Sequence, residues 1–575
     1  MKKPVCKMKR LLFITCSLSM VVHGIAQQPS NIEKKISALL QKMTLEEKVG
    51  QMAQITLDVL GKGDQGKPFE LSEDKMMEAI VKYNIGSVLN TSDNRAMTTA
   101  RWNEIIYRLQ GAASGTRMGI PLIYGFDAIH GATYVAGATF FPQPIGQAAT
   151  WNRKLVQDAA TITAYESKAA STHWNFSPVL DLGTNPLWPR IWETFGEDPY
   201  LVSEMGRATI NGYQNPLGSK EKLAACLKHY VGYSDPKTGK DRSNAWIPEH
   251  YLREYHLPSF KAGVEAGART VMVNSAMING IPTHINKYLL TDVLKKEWGF
   301  TGLVVTDWQD IDNVYKRDKV AGSQKEALQM VINAGVDMAM IPYEYKEFFN
   351  DLIALVKEKK VSINRINDAV ARILRVKYEL NLFEHPVTSN SDYKSFGSEG
   401  YTQKAYDAAA ESIVLLKNEN NILPLNKSQK ILVTGPNANS MRTLNGGWSY
   451  SWQGEKTEDF AQNYHSIYQA LKNTWGQNQV SFEQGVAYKM NGKYFEDSVV
   501  DIAAASNTAS QSDVILVCVG ENSYTEKPGD LNDLNLSDNQ QQLIEAMINT
   551  GKPVVLDRKS TRLNSSHANI SYAVF

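Results

Sequence analysis

Between residues 32 and 383, short apolar runs alternate with helix-length amphipathic stretches. The runs are NIGSVLN (84–90), IPLIYGFDA (120–128), THWNFSPVLDL (172–182), LAACLKHYVG (223–232), TVMVNSAMING (270–280), GLVVTDWQD (302–310) and GVDMAMI (335–341). Strands separated by helices predict a parallel sheet, because a parallel return needs a long crossover. This many units fits a (β/α)8-like TIM barrel better than an open sheet, and no GxGxxG follows the first strand. Most runs are apolar first and polar last, ending in Asp127, Asp181, Lys228 and His229, Asn274 or Asp307. In a barrel those strand ends form the face that carries chemistry. Any one Asp or Asn alone would read as a helix N-cap; five such ends point to a shared rim.

The helical pattern SINRINDAVARILRVKYELNLF (362–383) closes the first unit, and the polar EHPVTSNSDYKSFGSEG (384–400) reads as a linker. A second α/β unit follows over 401–556. It opens with a helix predicted across YTQKAYDAAAESIVLLKNE (401–419) and continues through the strand-like KILVTGPNA (430–438), SDVILVCVGE (512–521) and PVVL (553–556). The fold class is therefore α/β, a TIM-like barrel over 27–383 followed by an α/β sandwich. Beyond PVVL a loop and helix are due, yet DRKSTRLNSSHANISYAVF (557–575) is polar and aperiodic. It reads as a non-native tail joined to an incomplete sandwich.

Composition narrows the partners. The 61 Lys and Arg residues nearly balance 60 Asp and Glu, so no sequence-wide field favours nucleic acid or an anionic membrane surface. The basic MKKPVCKMKR, an apolar run over 11–22 and Gly24-Ile25-Ala26 read as a secretory signal spanning residues 1–26, which predicts a secreted or periplasmic protein. The apolar run is shorter than the roughly 20 residues of a membrane span. Of the 4 cysteines, only Cys226 and Cys518 lie beyond that signal, so no disulfide framework is expected. With no CxxC or HExxH pattern, neither a metal nor a cofactor is expected.

Seven stretches then occur in order: YGFDAIHGATYVAGATFFPQPIG, NFSPVLDLGTNPLWPRIWETFGEDPYL, CLKHYVGYSD, VMVNSAMING, GLVVTDWQDI, GGWSYSWQG and GENSYTEKPGD. Together they resemble glycoside hydrolase family 3, the β-glucosidase and exo-glucanase group, over roughly residues 30 to 556. The resemblance implies that Asp307 is the catalytic nucleophile, because retaining cleavage needs a carboxylate to trap the sugar as a covalent ester. It implies that Glu526, in the loop SYTEKPGD of the second domain, is the acid/base. Glu521, at the end of VILVCVGE, is the second choice. Asp127, Arg190, Lys228 and His229 match residues that hold the terminal sugar's hydroxyls, and charged donors and acceptors suit such a ligand. Read without the resemblance, Arg190 is alternatively a buried ion-pair partner, and Lys228 and His229 are equally structural. Met272 matches a pocket-lining position, although core packing is its stronger reading. Trp308, and Trp452 rather than Trp448, match aromatics that clamp the leaving sugar. The β-N-acetylglucosaminidase branch uses a KHFPGHG-type loop; here KHYVGYSD lacks its second His, which favours the glucosidase mechanism.

The expected function is that of a retaining, exo-acting β-glucosidase taking a small carbohydrate substrate. The alternatives are a β-xylosidase or mixed-specificity β-glycosidase, or an inactive carbohydrate-binding fragment if the second domain is incomplete.

Overall fold

The computed structural model describes residues 31–63 and 68–559. The expected signal (1–26) and residues 560–575 of the expected tail lie outside the described residues. Eight strands form one parallel sheet: β1 (Ala53–Thr56), β2 (Ser87–Leu89), β3 (Ile123–Phe126), β4 (Trp174–Asn175), β5 (Ala224–Tyr230), β6 (Thr270–Val273), β7 (Leu303–Val305) and β8 (Ala339–Met340). Their order is β8-β1-β2-β3-β4-β5-β6-β7, and a parallel bridge from Val305 to Met338 joins the two ends into a barrel. Every residue of β5 is buried, as expected for strands covered by side chains within and helices without.

The surrounding helices start where the sequence supplies a cap. Asn152 accepts from Leu155 N ahead of Arg153–Ala169, Asp198 from Leu201 N ahead of Pro199–Gln214, and Ser362 from Arg365 N ahead of Ile363–Glu379. That last helix is the one expected to close the barrel. The strand β1 was not among the apolar runs, because AQIT alternates polar with apolar residues. Its Gln54 is nonetheless fully buried and donates to Ser87 Oγ at 2.8 Å, so the amide nitrogen is paired inside, while the buried Oε1 has no hydrogen-bond partner.

The stretch expected to link the domains runs along the barrel. Gly397 N donates to Glu166 Oε1 at 2.9 Å, and Tyr393 OH donates to Lys220 O. The next helix, Glu399–Ser412, ends seven residues before the position expected from the pattern to Glu419. Ile413 is extended (φ −75°, ψ 124°), and Ile413 through Leu416 are exposed. Two β-branched residues in succession weaken the helix at that point.

The second domain has a parallel sheet of β9 (Ile431–Thr434), β10 (Val480–Glu483), β11 (Val514–Gly520) and β12 (Val554–Lys559), in the order β10-β9-β11-β12. β12 crosses the boundary expected at Asp557, since Asp557, Arg558 and Lys559 pair with Cys518, Val519 and Gly520. The chain leaves β9 toward one side of the sheet and β11 toward the other. The crevice between their C-terminal ends is a topological switch point, where such sheets bind ligands. The β9 loop carries Trp448 and Trp452, and the β11 loop carries Glu526. Both loops touch the barrel: Gln143 Nε2 donates to Asn445 O and Gly447 O, and Thr525 Oγ1 to Glu193 Oε1 at 2.7 Å. Among the described residues no helix is long and apolar enough to cross a membrane.

Candidate active site

Asp307 follows β7 directly. The strand end is pinned by Thr306, whose N donates to Met338 O (3.1 Å) and whose Oγ1 accepts from Met340 N (2.8 Å). The Asp307 backbone N–H donates to His284 Nε2 at 3.3 Å, which leaves the imidazole proton on Nδ1. Its Oδ1 accepts from Trp308 N at 2.5 Å, while its buried Oδ2 has no hydrogen-bond partner. A buried carboxylate oxygen without a donor costs about 1–3 kcal/mol, so such an atom calls for an explanation beyond stability.

Glu526 enters from the other domain. Its Oε2 accepts from Arg242 Nη2 at 3.0 Å, and its Oε1 lies 3.3 Å from Arg190 Nη1. Arg190 is buried and donates to both oxygens of Glu193 (2.8 and 2.7 Å). Arg242 also donates to Ser275 Oγ at 2.6 Å. The backbone at Glu526 has φ 55° and ψ −150°, a region that L side chains rarely adopt. Such strain costs about 1–3 kcal/mol and persists only where the surroundings impose it. Here Gln453 brackets Thr525, accepting from its N and donating to its O, and Gly529 N closes on Glu526 O at 2.7 Å.

Two further pairs line the barrel mouth. Lys228 Nζ lies 2.5 Å from Asp127 Oδ1 and 5.5 Å from the ring centre of Trp448. His229 Nδ1 lies 2.9 Å from Asp181 Oδ2, which also accepts from the His229 backbone. Burial, reinforced by Arg190 and Lys228, holds His229 neutral, so Nδ1 is the donor and Nε2 an acceptor. Burial pushes Asp181 up to about 7, and raises Asp127 despite Lys228.

The two central carboxyls differ in charge balance. Burial raises Asp307, with Asp310 and Glu526 adding to it and Arg242 opposing. Burial also pushes Glu526 upward, but Arg242 and Arg190 outweigh it and hold that carboxyl below its ordinary range. Glu526 is thus a carboxylate clasped by two guanidinium groups.

Comparison with known proteins identifies the family. The model of the glycosyl hydrolase family 3 N-terminal domain matches residues 44–376, and that of the family 3 C-terminal domain matches residues 413–568. The chain belongs to glycosyl hydrolase family 3. It is 39% identical over 542 residues to a lysosomal beta glucosidase of Dictyostelium discoideum, covering 91% of this chain and 65% of the relative. It is 30% identical to a periplasmic beta-glucosidase/beta-xylosidase of Dickeya chrysanthemi, covering 72% of this chain and 68% of the relative. The exo-1,3/1,4-beta-glucanase of a Pseudoalteromonas species superposes with a TM-score of 0.81 at 31% identity, covering 94% of this chain and 66% of that structure. This chain therefore spans about two thirds of the length of these proteins.

In this family 3 chain the expected residues fall into three groups. Asp127 meets Lys228, and Arg190 meets Glu526, so Arg190 is both an ion-pair partner of Glu193 and part of the site. His229 pairs with Asp181 rather than with another expected residue. Met272 on β6 is buried in the barrel core cluster, while Trp308 and Trp452 pack half-buried against that cluster. Trp308 meets Tyr343 edge to face at 6.0 Å, and the Trp452 backbone N–H donates to Asn94 Oδ1 at 2.7 Å. Glu521 accepts from Tyr524 OH at 3.0 Å and faces Lys559 of its own sheet. Sequence reasoning missed Arg242, Glu193 and Ser275. The RIWE spacing of Arg190 and Glu193 was a usable signal; Arg242, in the polar loop GKDRS, gave none.

Proposed function

We propose that the protein is a retaining, exo-acting β-glycosidase, with β-glucosides as the favoured substrates. The observation that carries this reading is a buried Asp307, whose Oδ2 has no donor, that feels the charge of Glu526, delivered by a second domain and joined to the barrel through Arg242 and Arg190. Two carboxyls in distinct electrostatic settings are what double displacement needs. Asp307 attacks the anomeric carbon and forms an ester while the bond to the leaving oxygen breaks, that oxygen taking the proton of Glu526. A water then attacks the same carbon, gives its proton to Glu526, and frees Asp307.

The first step needs a protonated Glu526 and the second an ionised one, so the acid must change state on the way. The contacts to Arg242 and Arg190 favour the ionised form. Sugar hydroxyls arriving at Arg190 compete with Glu526 for its Nη1, and the displaced water lowers the local dielectric; both effects return proton affinity to the carboxyl. Asp127, Lys228 and His229 supply an acceptor, a donor and a neutral imidazole Nε2 for the terminal sugar's hydroxyls. Trp308 and Trp452 offer apolar faces to the leaving sugar. The signal-like leader and the periplasmic relative support export.

A β-xylosidase or mixed specificity is the second reading, favoured by the beta-glucosidase/beta-xylosidase relative. Kinetics on nitrophenyl β-glucoside and β-xyloside separate the two: a higher kcat/KM for the xyloside overturns the choice of sugar. Asp307→Ala is expected to abolish turnover of both, whereas Glu526→Ala with an activated aryl glucoside is expected to recover with azide, which needs no general base. Azide rescue that gives the retained β-azide with Asp307→Ala and the inverted α-azide with Glu526→Ala would reverse the assignment.

A further inference from the structure

Three consecutive barrel residues hold the loop that carries Glu526. Lys240 Nζ donates to Leu531 O (3.0 Å) and Asn532 Oδ1 (2.7 Å). Asp241 N donates to Asp530 Oδ1 at 2.8 Å. Arg242 Nη2 donates to Glu526 Oε2 at 3.0 Å. Each contact crosses from the loop after β5 to the loop after β11, so a single turn of barrel chain tracks the whole acid-bearing segment.

Arg242 is itself built in. Its Nη1 donates to Ser275 Oγ at 2.6 Å, just past β6, and its Nε lies 3.5 Å from Asp241 Oδ2. Ser275 is fully buried, so this anchor does not yield easily to solvent. Arg242 also takes a left-handed backbone, φ 58°, which aims its side chain away from the course of its neighbours. The charges that bear on it are those of Glu526, Asp307 and Asp241, with the Tyr233 phenol beside them. It therefore holds one of the two carboxyls assigned to the reaction and feels the charge of the other, and its role below rests on that assignment.

We propose that Arg242 is a positioning residue: anchored on Ser275 and flanked by Lys240 and Asp241, it docks the acid/base loop onto the barrel and balances the charge of Glu526 between turnovers. A planar guanidinium suits both tasks, because its fork fixes the direction of the carboxylate while its charge stays permanent. When a sugar draws Arg190 away, Arg242 still keeps Glu526 in line with the leaving oxygen. In the second half of the cycle, the same contact favours the carboxylate that must accept the proton of water.

The test compares Arg242→Met and Arg242→Lys with the parent protein. kcat/KM is measured against pH for phenyl β-glucoside, whose poor leaving group needs the acid, and for 2,4-dinitrophenyl β-glucoside, which hardly does. Removing a cation within hydrogen-bond reach raises the proton affinity of Glu526. The alkaline limb of Arg242→Met is therefore expected to move up by about one pH unit or more. Misaiming the acid is expected to lower the phenyl rate more than about tenfold and the dinitrophenyl rate less than about threefold, the range of a general-acid contribution. Arg242→Lys, which keeps the charge but not the fork, is expected to hold the limb near its parent position and still lose on the phenyl substrate. An unmoved limb in Arg242→Met, or equal losses on both substrates, overturns the proposal. If Arg242→Met does not fold, Arg242→Lys decides it, with equal losses on the two substrates again the contrary result. Glu526→Ala keeps the two claims apart: no azide rescue removes the acid assignment itself, whereas rescue alongside an unmoved limb removes only the role of Arg242.

Discussion

Replacing Glu193 with glutamine removes a carboxylate that is wholly buried and carries three short contacts: Arg190 Nε at 2.8 Å, Arg190 Nη2 at 2.7 Å and Thr525 Oγ1 at 2.7 Å. Breaking a buried ion pair from one side costs about 3–5 kcal/mol, because the remaining charge stays desolvated. Arg190 keeps a second anion, since Glu526 lies 3.3 Å from Nη1, and glutamine retains one acceptor oxygen. Both reduce the penalty, so the lower end, about 3 kcal/mol, is expected. A barrel of about 330 residues gains roughly 0.7 kcal/mol per kelvin of entropy term on unfolding, so Tm should fall by about 4 °C.

The same change has a functional signature. Arg190, relieved of Glu193, turns its full charge on Glu526 and strengthens the carboxylate form. The alkaline limb of kcat/KM on phenyl β-glucoside should move to lower pH, opposite in sign to the shift expected for Arg242→Met. Differential scanning calorimetry and the pH profile give the two readings. A Tm within about 1 °C of the parent, together with an unmoved or raised limb, would refute the view that Glu193 restrains Arg190.

Glu166 accepts from Thr139 N (2.6 Å), Thr139 Oγ1 (3.0 Å) and Gly397 N (2.9 Å), and burial pushes its carboxyl up to about 7. Its raised value means that the stability it contributes is full below the unfolded value and lost as pH rises through about 7. Tm should therefore fall between about pH 4.5 and 7 more steeply in the parent than in Glu166→Gln and level off above that range, and parallel curves would contradict this. Burial pushes the Cys226 thiol up to about 12 and Cys518 also upward, so alkylation at pH 8 followed by peptide mapping should leave both unmodified until denaturant is added. Labelling of either in the folded protein counts against that placement.

The barrel was legible because most of its strands begin as a buried apolar run and end at the rim in a polar residue. Asp127, Lys228, His229 and Asp307 follow that rule, and all lie at the mouth. β1 escaped because Gln54 makes its run look half exposed, although a neighbouring strand pairs its amide nitrogen. The helix predicted through Glu419 ended at Ser412, because periodicity continued across Ile413 and Val414 where local propensity did not. Arg242 was illegible for a different reason. Its loop, GKDRS, has the composition of exposed chain, and only the docking of a second domain more than 280 residues later makes it interior. Charge partners that meet across domains leave no periodic trace in a sequence.

The most direct measurement is the mass of the protein after incubation with 2,4-dinitrophenyl 2-deoxy-2-fluoro-β-glucoside, followed by peptide mapping. Fluorine at C2 slows both displacements, and the good leaving group lets the first proceed, so the glycosyl ester accumulates. The expected result is one added fluoroglucosyl group, attached to Asp307 in the peptide containing GLVVTDWQDI. Attachment to any other carboxylate, or turnover with an inverted product and no adduct, would contradict a double displacement through Asp307.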